Sequence, residues 1–321
     1  MFRRRLDQLS SGSPTADLGD ILVFAGPGAG KTLGALLGFS SMRREGHLDQ
    51  FVVFCHRTSI LEQWKQAAAG LGLCLKEWPC TDAAAKAADG LLVTYQGAGR
   101  QLKPLQQQLG QLQADRCMAI ADEAHHLGLD PEDPKAPAWG QTFQALTESF
   151  RLRVGLTGTP FRADNLGFCA ARRIRIVQDG MVMEQIRPDL CVEPRDLIAA
   201  GDVRPLEFRF QDGWVEHSRE GMPDRDVSPL SAEHRESWRA RNLRRAIRLA
   251  DSSSIGQQVL LRAQRKLTDL RQSHPDAAGL VIARDIDHAE AIATLLKEDG
   301  NRVELVHSQS PQAAERLHGF Q

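Results

Sequence analysis

Short apolar runs alternate with helix-like stretches through the first half of the chain. These runs lack the polar–apolar alternation of a half-exposed strand, so they predict strands that are covered on both faces. Such strands, separated by helices, are typical of a parallel sheet in an α/β layer fold. The predicted strands are residues 21–25, 51–56, 91–96, 117–122 and 152–156. They predict one α/β lobe over residues 20–165.

The second half of the chain has a weaker pattern. A polar segment with prolines predicts a surface loop at 128–137. The stretch after the lobe predicts an irregular connector at 163–210. Periodic apolar residues then predict two helices rich in arginine and leucine, followed by a strand, a helix and a strand. These elements are predicted at 232–250, 254–272, 280–283, 286–298 and 303–306.

This pattern predicts four parts of the chain. They are an N-terminal segment at 1–19, the α/β lobe at 20–165, a connector with basic helices at 166–275, and part of a second α/β lobe at 276–321. Basic residues outnumber acidic ones between Arg235 and Arg271. This stretch could neutralise nucleic-acid phosphates or form the solvated face of a structural linker, and the pattern leaves both open.

Composition argues against disorder and against a membrane protein. Apolar residues make up 42% and charged residues 25% of the 321 residues, which are ordinary values for globular proteins. The apolar runs are shorter than a membrane span, and residues 1–9 lack the apolar core of a secretory signal, so we expect a cytoplasmic protein without a membrane partner. The cysteines, several of them in apolar runs, predict reduced, buried thiols. Cys74 and Cys80 could form half of a zinc site, but they lack a second ligand pair.

A glycine-rich segment follows the first predicted strand and precedes a helical pattern. From Ala25 to Thr32 it reads Ala-Gly-Pro-Gly-Ala-Gly-Lys-Thr, with alanine where the strict pattern of a phosphate-binding loop has glycine. Glycines let backbone N–H groups surround phosphate oxygens, the lysine reaches the terminal phosphates, and the hydroxyl ligates Mg²⁺. A glycine-rich turn is the alternative. The candidate phosphate-binding residues are Gly26, Pro27, Gly28, Ala29, Gly30, Lys31 and Thr32.

Two further motifs follow predicted strands of the lobe. Asp122 and Glu123 begin an Asp-Glu-Ala-His segment at the carboxyl edge of the sheet, where α/β folds bind ligands. Asp122 could hold Mg²⁺ through its water shell, and Glu123 could polarise an attacking water as a general base. A plain acidic turn is the alternative. The Thr157-Gly-Thr-Pro segment is a turn when taken alone, but it lies at another strand end of the same edge.

The order of these motifs resembles the first motor lobe of superfamily 2 helicases of the DEAD/DEAH-box kind. Residues 56–64, His-Arg-Thr-Ser-Ile-Leu-Glu-Gln-Trp, resemble that family's next motif after the phosphate loop. Residues 91–96 resemble a further motif at a strand end, and residues 280–290 resemble the opening of the second lobe. The resemblance implies a RecA-like P-loop lobe with a parallel sheet, then a helical linker and an incomplete second RecA-like lobe.

The resemblance also implies a role for each matching residue. Lys31 and Thr32 would contact ATP and Mg²⁺, Asp122 would hold Mg²⁺, and Glu123 would activate water. Coupling of the nucleotide state to lobe movement would involve His125, Thr157 and Thr159. The nucleic-acid track would be lined by Arg57, Thr94 and Gln96, although Arg57 could equally be a solvated surface charge. His126 is predicted to be a packing or surface residue, and Trp64 is predicted to belong to the core.

The implied function is that of an ATP-dependent helicase or translocase on DNA or RNA, with DNA favoured. Two alternatives remain. About 45 residues follow Asp276, whereas a whole second lobe needs about 100–150, so the chain could be a truncated fragment that binds ATP and nucleic acid with weak catalysis. It could also be a P-loop ATPase of another kind, which would not bind nucleic acid.

Overall fold

The computed structural model describes residues 1–11, 19–129, 138–159, 167–169, 173–178, 181–205, 207, 209, 214–218, 225–229, 254–307 and 310. The chain divides into two compact units, Met1–Pro205 and Leu206–Gln321. The first unit therefore includes the N-terminal segment and also residues 166–205, which the sequence pattern assigned to a connector.

Strands and helices alternate through most of the first unit. The strands are β1 (Asp20–Ala25), β2 (Gln50–Cys55), β3 (Leu75–Glu77), β4 (Gly90–Thr94), β5 (Cys117–Asp122), β6 (Gly128–Leu129), β7 (Leu152–Thr157), β8 (Gly167–Phe168), β9 (Arg173–Gln178), β10 (Met181–Ile186) and β11 (Leu190–Val192). The helices are α1 (Phe2–Ser10), α2 (Lys31–Arg44), α3 (Ser59–Ala69), α4 (Asp82–Ala87), α5 (Tyr95–Arg100), α6 (Leu102–Leu109), α7 (Ala138–Thr147) and α8 (Pro194–Ala200).

Seven of these strands form one parallel sheet in the order β11-β1-β7-β5-β2-β4-β3. Neighbouring residues of a strand enter two separate apolar clusters, one on each face: Val52 and Phe54 lie in one, Phe51 and Val53 in the other. All six residues of β5 are buried. Covering both faces explains the near-continuous apolar runs, and the predicted α/β lobe with a parallel sheet is confirmed.

The five predicted strands are present, and the one that differs most ends two residues early. β4 stops at Thr94 because the Thr94 hydroxyl accepts the Gly97 N–H at 3.0 Å and so caps α5. The predicted loop at 128–137 is wrong at its start, since Gly128 and Leu129 pair antiparallel with β8. Residues 130–137 lie outside the described residues.

Residues 1–11 pack on the sheet unit through α1. Phe2 and Leu6 are buried in the same cluster as Phe39 of α2. A Cβ atom at Gly38 would overlap the Phe2 ring, so a larger residue at this position would have to displace that ring. Arg5, also buried, forms an ion pair with Asp189 just before β11.

The second unit contains a hairpin of β12 (Trp214–Ser218) and β13 (Arg225–Pro229), and two helices, α9 (Ser254–Ser273) and α10 (Ile286–Glu298). The helices predicted at 254–272 and 286–298 are confirmed, whereas the helix predicted at 232–250 lies outside the described residues. The strands predicted at 280–283 and 303–306 are wrong, because neither segment forms a ladder. Leu280 and Ile282 are 71% and 88% exposed. The backbone groups of a strand need partners in a ladder, and no strand within the described ranges pairs with either segment.

The cysteine prediction holds only in part. Cys55, Cys117 and Cys169 are buried thiols, but Cys74 and Cys191 are exposed. Burial raises the pKa of the Cys117 thiol to about 12. Within the described ranges, no group of three or more His, Cys, Asp or Glu residues could hold a metal ion, and no helix has the length and apolar character needed to cross a membrane.

Candidate nucleotide and nucleic-acid site

One edge of the sheet collects the predicted motifs. Strands β1, β7, β5, β2 and β4 are consecutive neighbours, and all five are parallel, so their carboxyl ends lie along the same edge. A predicted motif lies at each of these ends, in the order of the strands: the glycine-rich loop, Thr-Gly-Thr-Pro, Asp-Glu-Ala-His, the segment at 56–64, and the segment at 91–96. The carboxyl edge of an open α/β sheet is where such folds bind ligands.

The glycine-rich loop has the geometry of a phosphate cradle. Gly28 and Gly30 have φ angles of 81° and 73°, in the left-handed region that only glycine adopts at little cost. Gly30 caps α2 without a side chain, so the first N–H groups of that 14-residue helix are left for another acceptor. A helix start of this kind favours anions. Gly26 is held in place by β11, since its N–H donates to Val192 O at 3.3 Å.

Lys31 lies at the first turn of α2, pointing back over the loop. Its ammonium donates to Ala25 O at 2.9 Å and to Gly26 O at 3.4 Å. A Cβ atom on Gly158 would lie 3.7 Å from Nζ, so this cation also faces the Thr-Gly-Thr-Pro segment. Thr32 is half-buried beside it, and Pro27 is exposed on the loop with Ala29 half-buried. The lysine can exchange these two carbonyl oxygens for phosphate oxygens without leaving the loop.

Asp122 ends β5 as a buried carboxylate with two donors. Trp64 Nε1 donates to Oδ2 at 2.9 Å, and the backbone N–H of Glu123 donates to Oδ1 at 3.1 Å. Burial raises the pKa of Asp122 above its ordinary value, while the Trp64 indole and the Lys31 charge act in the opposite direction. Tyr95 donates its hydroxyl to Asp122 O at 2.8 Å, and burial raises the pKa of this phenol so far that it stays protonated.

Glu123 turns sharply away from the strand. Its φ of 52° makes it the one non-glycine residue in the described ranges with a left-handed backbone, and its side chain is 30% exposed. The carboxylate therefore reaches the open edge of the sheet while Asp122 stays buried. His125 Nδ1 lies 3.4 Å from Glu123 Oε2.

The three predicted coupling residues lie within one hydrogen-bonded cluster. His125 Nδ1 is 3.0 Å from Thr157 Oγ1 and 3.2 Å from Thr159 Oγ1. Thr157 Oγ1 also accepts the Thr159 N–H at 3.0 Å. Because a carboxylate oxygen of Glu123 faces the same nitrogen, these contacts favour a proton on Nδ1. The cluster joins the ends of β5 and β7.

The predicted nucleic-acid residues are less closely joined. Arg57 is exposed just before α3, and Gln96 is exposed on α5. Thr94 uses its hydroxyl as the cap of α5, so its structural role is clear. The exposure of Arg57 fits both a phosphate contact and a solvated charge, and no contact in the structure separates them.

Three aromatic features were missed or underrated by the sequence reasoning. Trp64, expected only to pack, is fully buried but donates to Asp122. His126, expected to be a packing or surface residue, has its ring centroid 4.9 Å from that of His56 and 4.3 Å from that of His125, with the ring planes tilted. The third is Tyr95. The signal available was that each of them lies in or next to a recognised motif.

The residues fit a magnesium-bound nucleoside triphosphate. The glycine cradle, the helix start and Lys31 supply positive charge for phosphates. Asp122 and the Thr32 hydroxyl supply the oxygen ligands that Mg²⁺ prefers. The donor set therefore matches the ligand in both charge and chemistry.

Comparison with known proteins finds one family model that is similar to part of the chain. Residues 8–162 match the family model of the type III restriction enzyme, res subunit. An uncharacterized protein of Mycobacterium leprae is 30% identical over 308 residues, and one of Mycobacterium tuberculosis is 29% identical over 310. Both matches cover 94% of this chain, which spans 48% of the length of each relative.

Two solved structures are also similar. The SWI2/SNF2 ATPase core of Sulfolobus solfataricus in complex with double-stranded DNA is 23% identical, with a TM-score of 0.35 over 50% of this chain and 30% of that one. The Hef helicase domain of Pyrococcus furiosus is 15% identical, with a TM-score of 0.36 over 49% of this chain and 33% of that one. The family match covers the strands and motifs of the sheet edge, so residues 8–162 are similar to the ResIII domain in the part of the chain that holds the candidate site.

Proposed function

We propose that this chain is a nucleic-acid-dependent ATPase that works as a helicase or translocase. The observation that carries the proposal is the set of motifs along one sheet edge, where a single strand, β7, separates the phosphate loop from the Asp122–Glu123 pair. Adjacent strands are about 4.8 Å apart, so the two motifs are within reach of one triphosphate.

Each residue at the edge has a distinct task in this proposal. The loop from Gly26 to Gly30 and Lys31 bind and orient the phosphates. Thr32 and Asp122 hold Mg²⁺, which supplies charge neutralisation on the phosphate oxygens. Glu123, half-exposed at the same edge, accepts a proton from the attacking water as a general base.

The cluster of His125, Thr157 and Thr159 gives the site a route to the neighbouring strand end. Lys31 Nζ lies next to Gly158, between the two threonines, so a phosphate that binds Lys31 would change the contacts of Gly158. The hydrogen bonds to His125 then carry the change to the Asp-Glu-Ala-His segment. We assign these three residues to coupling.

Nucleic acid is the partner in this proposal, with DNA favoured over RNA. Arg57, Thr94 and Gln96 lie at the ends of β2 and β4, on the same edge but beyond β5. Nucleotide and nucleic acid would therefore occupy different ends of one row of loops. The exposed Arg57 is the residue suited to a phosphate of the strand, which gives affinity that falls with salt.

The test is ATP turnover of the purified chain with and without single- and double-stranded DNA and RNA. Lys31→Ala and Glu123→Gln should abolish stimulated turnover, while the exposed-residue controls Lys103→Ala and Glu148→Gln should retain it. The polymer that stimulates turnover identifies the substrate class. Turnover that survives Lys31→Ala would refute the proposed site.

A second candidate is an ATP- and nucleic-acid-binding unit with weak turnover. It is favoured because the described residues after 276 form a helix but no sheet, and a second lobe normally completes the catalytic centre. ATP binding that depends on Lys31, without turnover under any of these conditions, would select this candidate.

A further inference from the structure

The indole of Trp64 links a helix to the carboxylate at the centre of the proposed site. Trp64 lies in the middle of α3, and its side chain is fully buried. Its N–H donates to Asp122 Oδ2 at 2.9 Å, between residues 58 positions apart in the chain. A buried indole N–H usually finds a partner, but here that partner is an acid rather than a backbone carbonyl.

This hydrogen bond, with one other, fixes the orientation of the Asp122 carboxylate. Oδ2 receives the Trp64 N–H and Oδ1 receives the backbone N–H of Glu123, so each oxygen has one donor from a different element. Rotation of the carboxylate would break both contacts. Charged acceptors form the stronger hydrogen bonds, and burial excludes the water that could replace a lost donor.

The same helix begins next to the residue assigned to nucleic acid. Arg57 lies just before α3, and Trp64 follows seven positions later on a helix whose apolar side is packed in the core. One helix therefore lies between the segment that carries Arg57 and the indole that donates to Asp122.

We propose that Trp64 is a positioning residue that holds the Asp122 carboxylate in the orientation that binds Mg²⁺ and ties it to α3. This rests on the proposed function, in which Asp122 holds Mg²⁺. The indole does not touch nucleotide or metal. The indole acts through the carboxylate, so removal of the indole N–H changes the affinity for Mg²⁺ more than the affinity for nucleotide.

Two substitutions separate the donor from the packing. Trp64→Phe keeps most of the ring volume and removes the N–H. Trp64→His removes the benzo ring but keeps an N–H at Nε2, which occupies the ring position of the indole Nε1. Trp78→Phe, at a tryptophan that is also buried but belongs to the other apolar cluster, is the matched control.

The measurement is binding of a fluorescent ADP analogue while Mg²⁺ is titrated, and again in EDTA. We expect Trp64→Phe to raise the Mg²⁺ concentration for half-maximal binding by roughly 10–100-fold, the usual effect of removing a group that orients a metal ligand. Its affinity for the analogue in EDTA should match that of the wild type. Trp64→His should lie closer to the wild type in Mg²⁺ dependence, although it is the less stable variant.

Several outcomes would overturn the proposal. An unchanged Mg²⁺ requirement in Trp64→Phe would do so, and so would a larger effect in Trp64→His than in Trp64→Phe. If neither variant folds, the wild-type protein with ¹⁵N-labelled indoles provides the test: the Trp64 N–H signal should shift when Mg²⁺ is added to the ADP complex, with the other four indoles as internal references. A Trp64 signal that does not respond refutes the positioning role.

Failure of the proposed function would look different. In that case the wild-type protein itself would bind the analogue without dependence on Mg²⁺ or on Lys31. If the wild type depends on both and Trp64→Phe behaves like Trp78→Phe, the site stands and only the role of Trp64 is wrong.

Discussion

Replacing Asp189 by alanine should remove a large part of the free energy of unfolding of the first unit. The Asp189 carboxylate forms an ion pair with Arg5 of α1, and it accepts the backbone N–H of Leu22 in β1 at 3.0 Å. The Arg5 and Asp189 side chains are 8% and 11% exposed. Asp189→Ala leaves a buried guanidinium without its acid and a strand N–H without this acceptor.

The magnitude follows from burial. Removing one partner of a buried ion pair costs about 3–5 kcal/mol, because the remaining charge stays desolvated. Arg5 retains slight exposure and can regain some water, so we expect the lower end, about 3 kcal/mol. That is a fifth to more than half of the usual stability of a domain, about 5–15 kcal/mol. Asp189→Asn should cost less, since its amide oxygen can still accept the Leu22 N–H.

The assay is urea unfolding followed by circular dichroism and tryptophan fluorescence. The matched control is Glu45→Ala, because the Arg3–Glu45 pair joins α1 to the end of α2 but is largely exposed. Exposed pairs contribute little, so this variant should unfold close to the wild type. Equal midpoints for Asp189→Ala and Glu45→Ala would refute the argument that burial gives the first pair its energy.

Three further predictions concern other parts of the first unit. Burial raises the pKa of Asp122 above its ordinary value of 3.8, so the ligand-free fold binds a proton on this carboxyl more tightly than the unfolded chain does. The free energy of unfolding therefore falls as the pH rises above 3.8 and the carboxyl loses that proton. Asp122→Asn should therefore melt higher than the wild type at pH 8, by a margin that shrinks towards pH 4; equal melting at pH 8 would contradict this. His126→Ala removes the ring contacts with His56 and His125 and should lower the free energy of unfolding by about 1–2 kcal/mol, whereas His126→Phe should keep most of that free energy. A loss below about 0.5 kcal/mol in urea unfolding of the alanine variant would exclude these contacts as stabilising. Gly38→Ala gains about 1 kcal/mol of helix propensity but displaces the ring of Phe2, whose burial contributes about 1.5–3 kcal/mol. The variant should therefore be less stable than the wild type, and its α1 should be cut more readily by proteases. A higher melting temperature would show that α1 does not pack there.

Features with a local cause could be predicted from the sequence. The strands of the sheet are covered on both faces, so their apolar runs are visible without knowledge of the pairing. The glycine-rich loop is visible because Gly28 and Gly30 need left-handed backbone angles that few residues adopt. In each case the cause lies within a few residues of the effect.

Features that depend on distant partners could not be predicted in this way. β11 has three residues, too few for a pattern, and it exists because β1 offers an open edge. The donation from Trp64 to Asp122 joins residues 58 positions apart, and an apolar helical pattern gives no sign of it. The converse error occurred at Leu280 and Ile282, where an apolar run suited to a strand lacks a sheet to join among the described residues.

The left-handed backbone of Glu123 should make stability and turnover rank the substitutions at this position differently. A side chain with a Cβ atom costs about 1 kcal/mol or more in that conformation, and glycine or asparagine would cost less. A mutational scan scored by protein abundance should therefore rank glycine and asparagine above the native glutamate. The same scan scored by ATP turnover should rank glutamate above all others. Opposite orders from two readouts of one library would mark position 123 as a place where selection has kept a less stable residue for its chemistry.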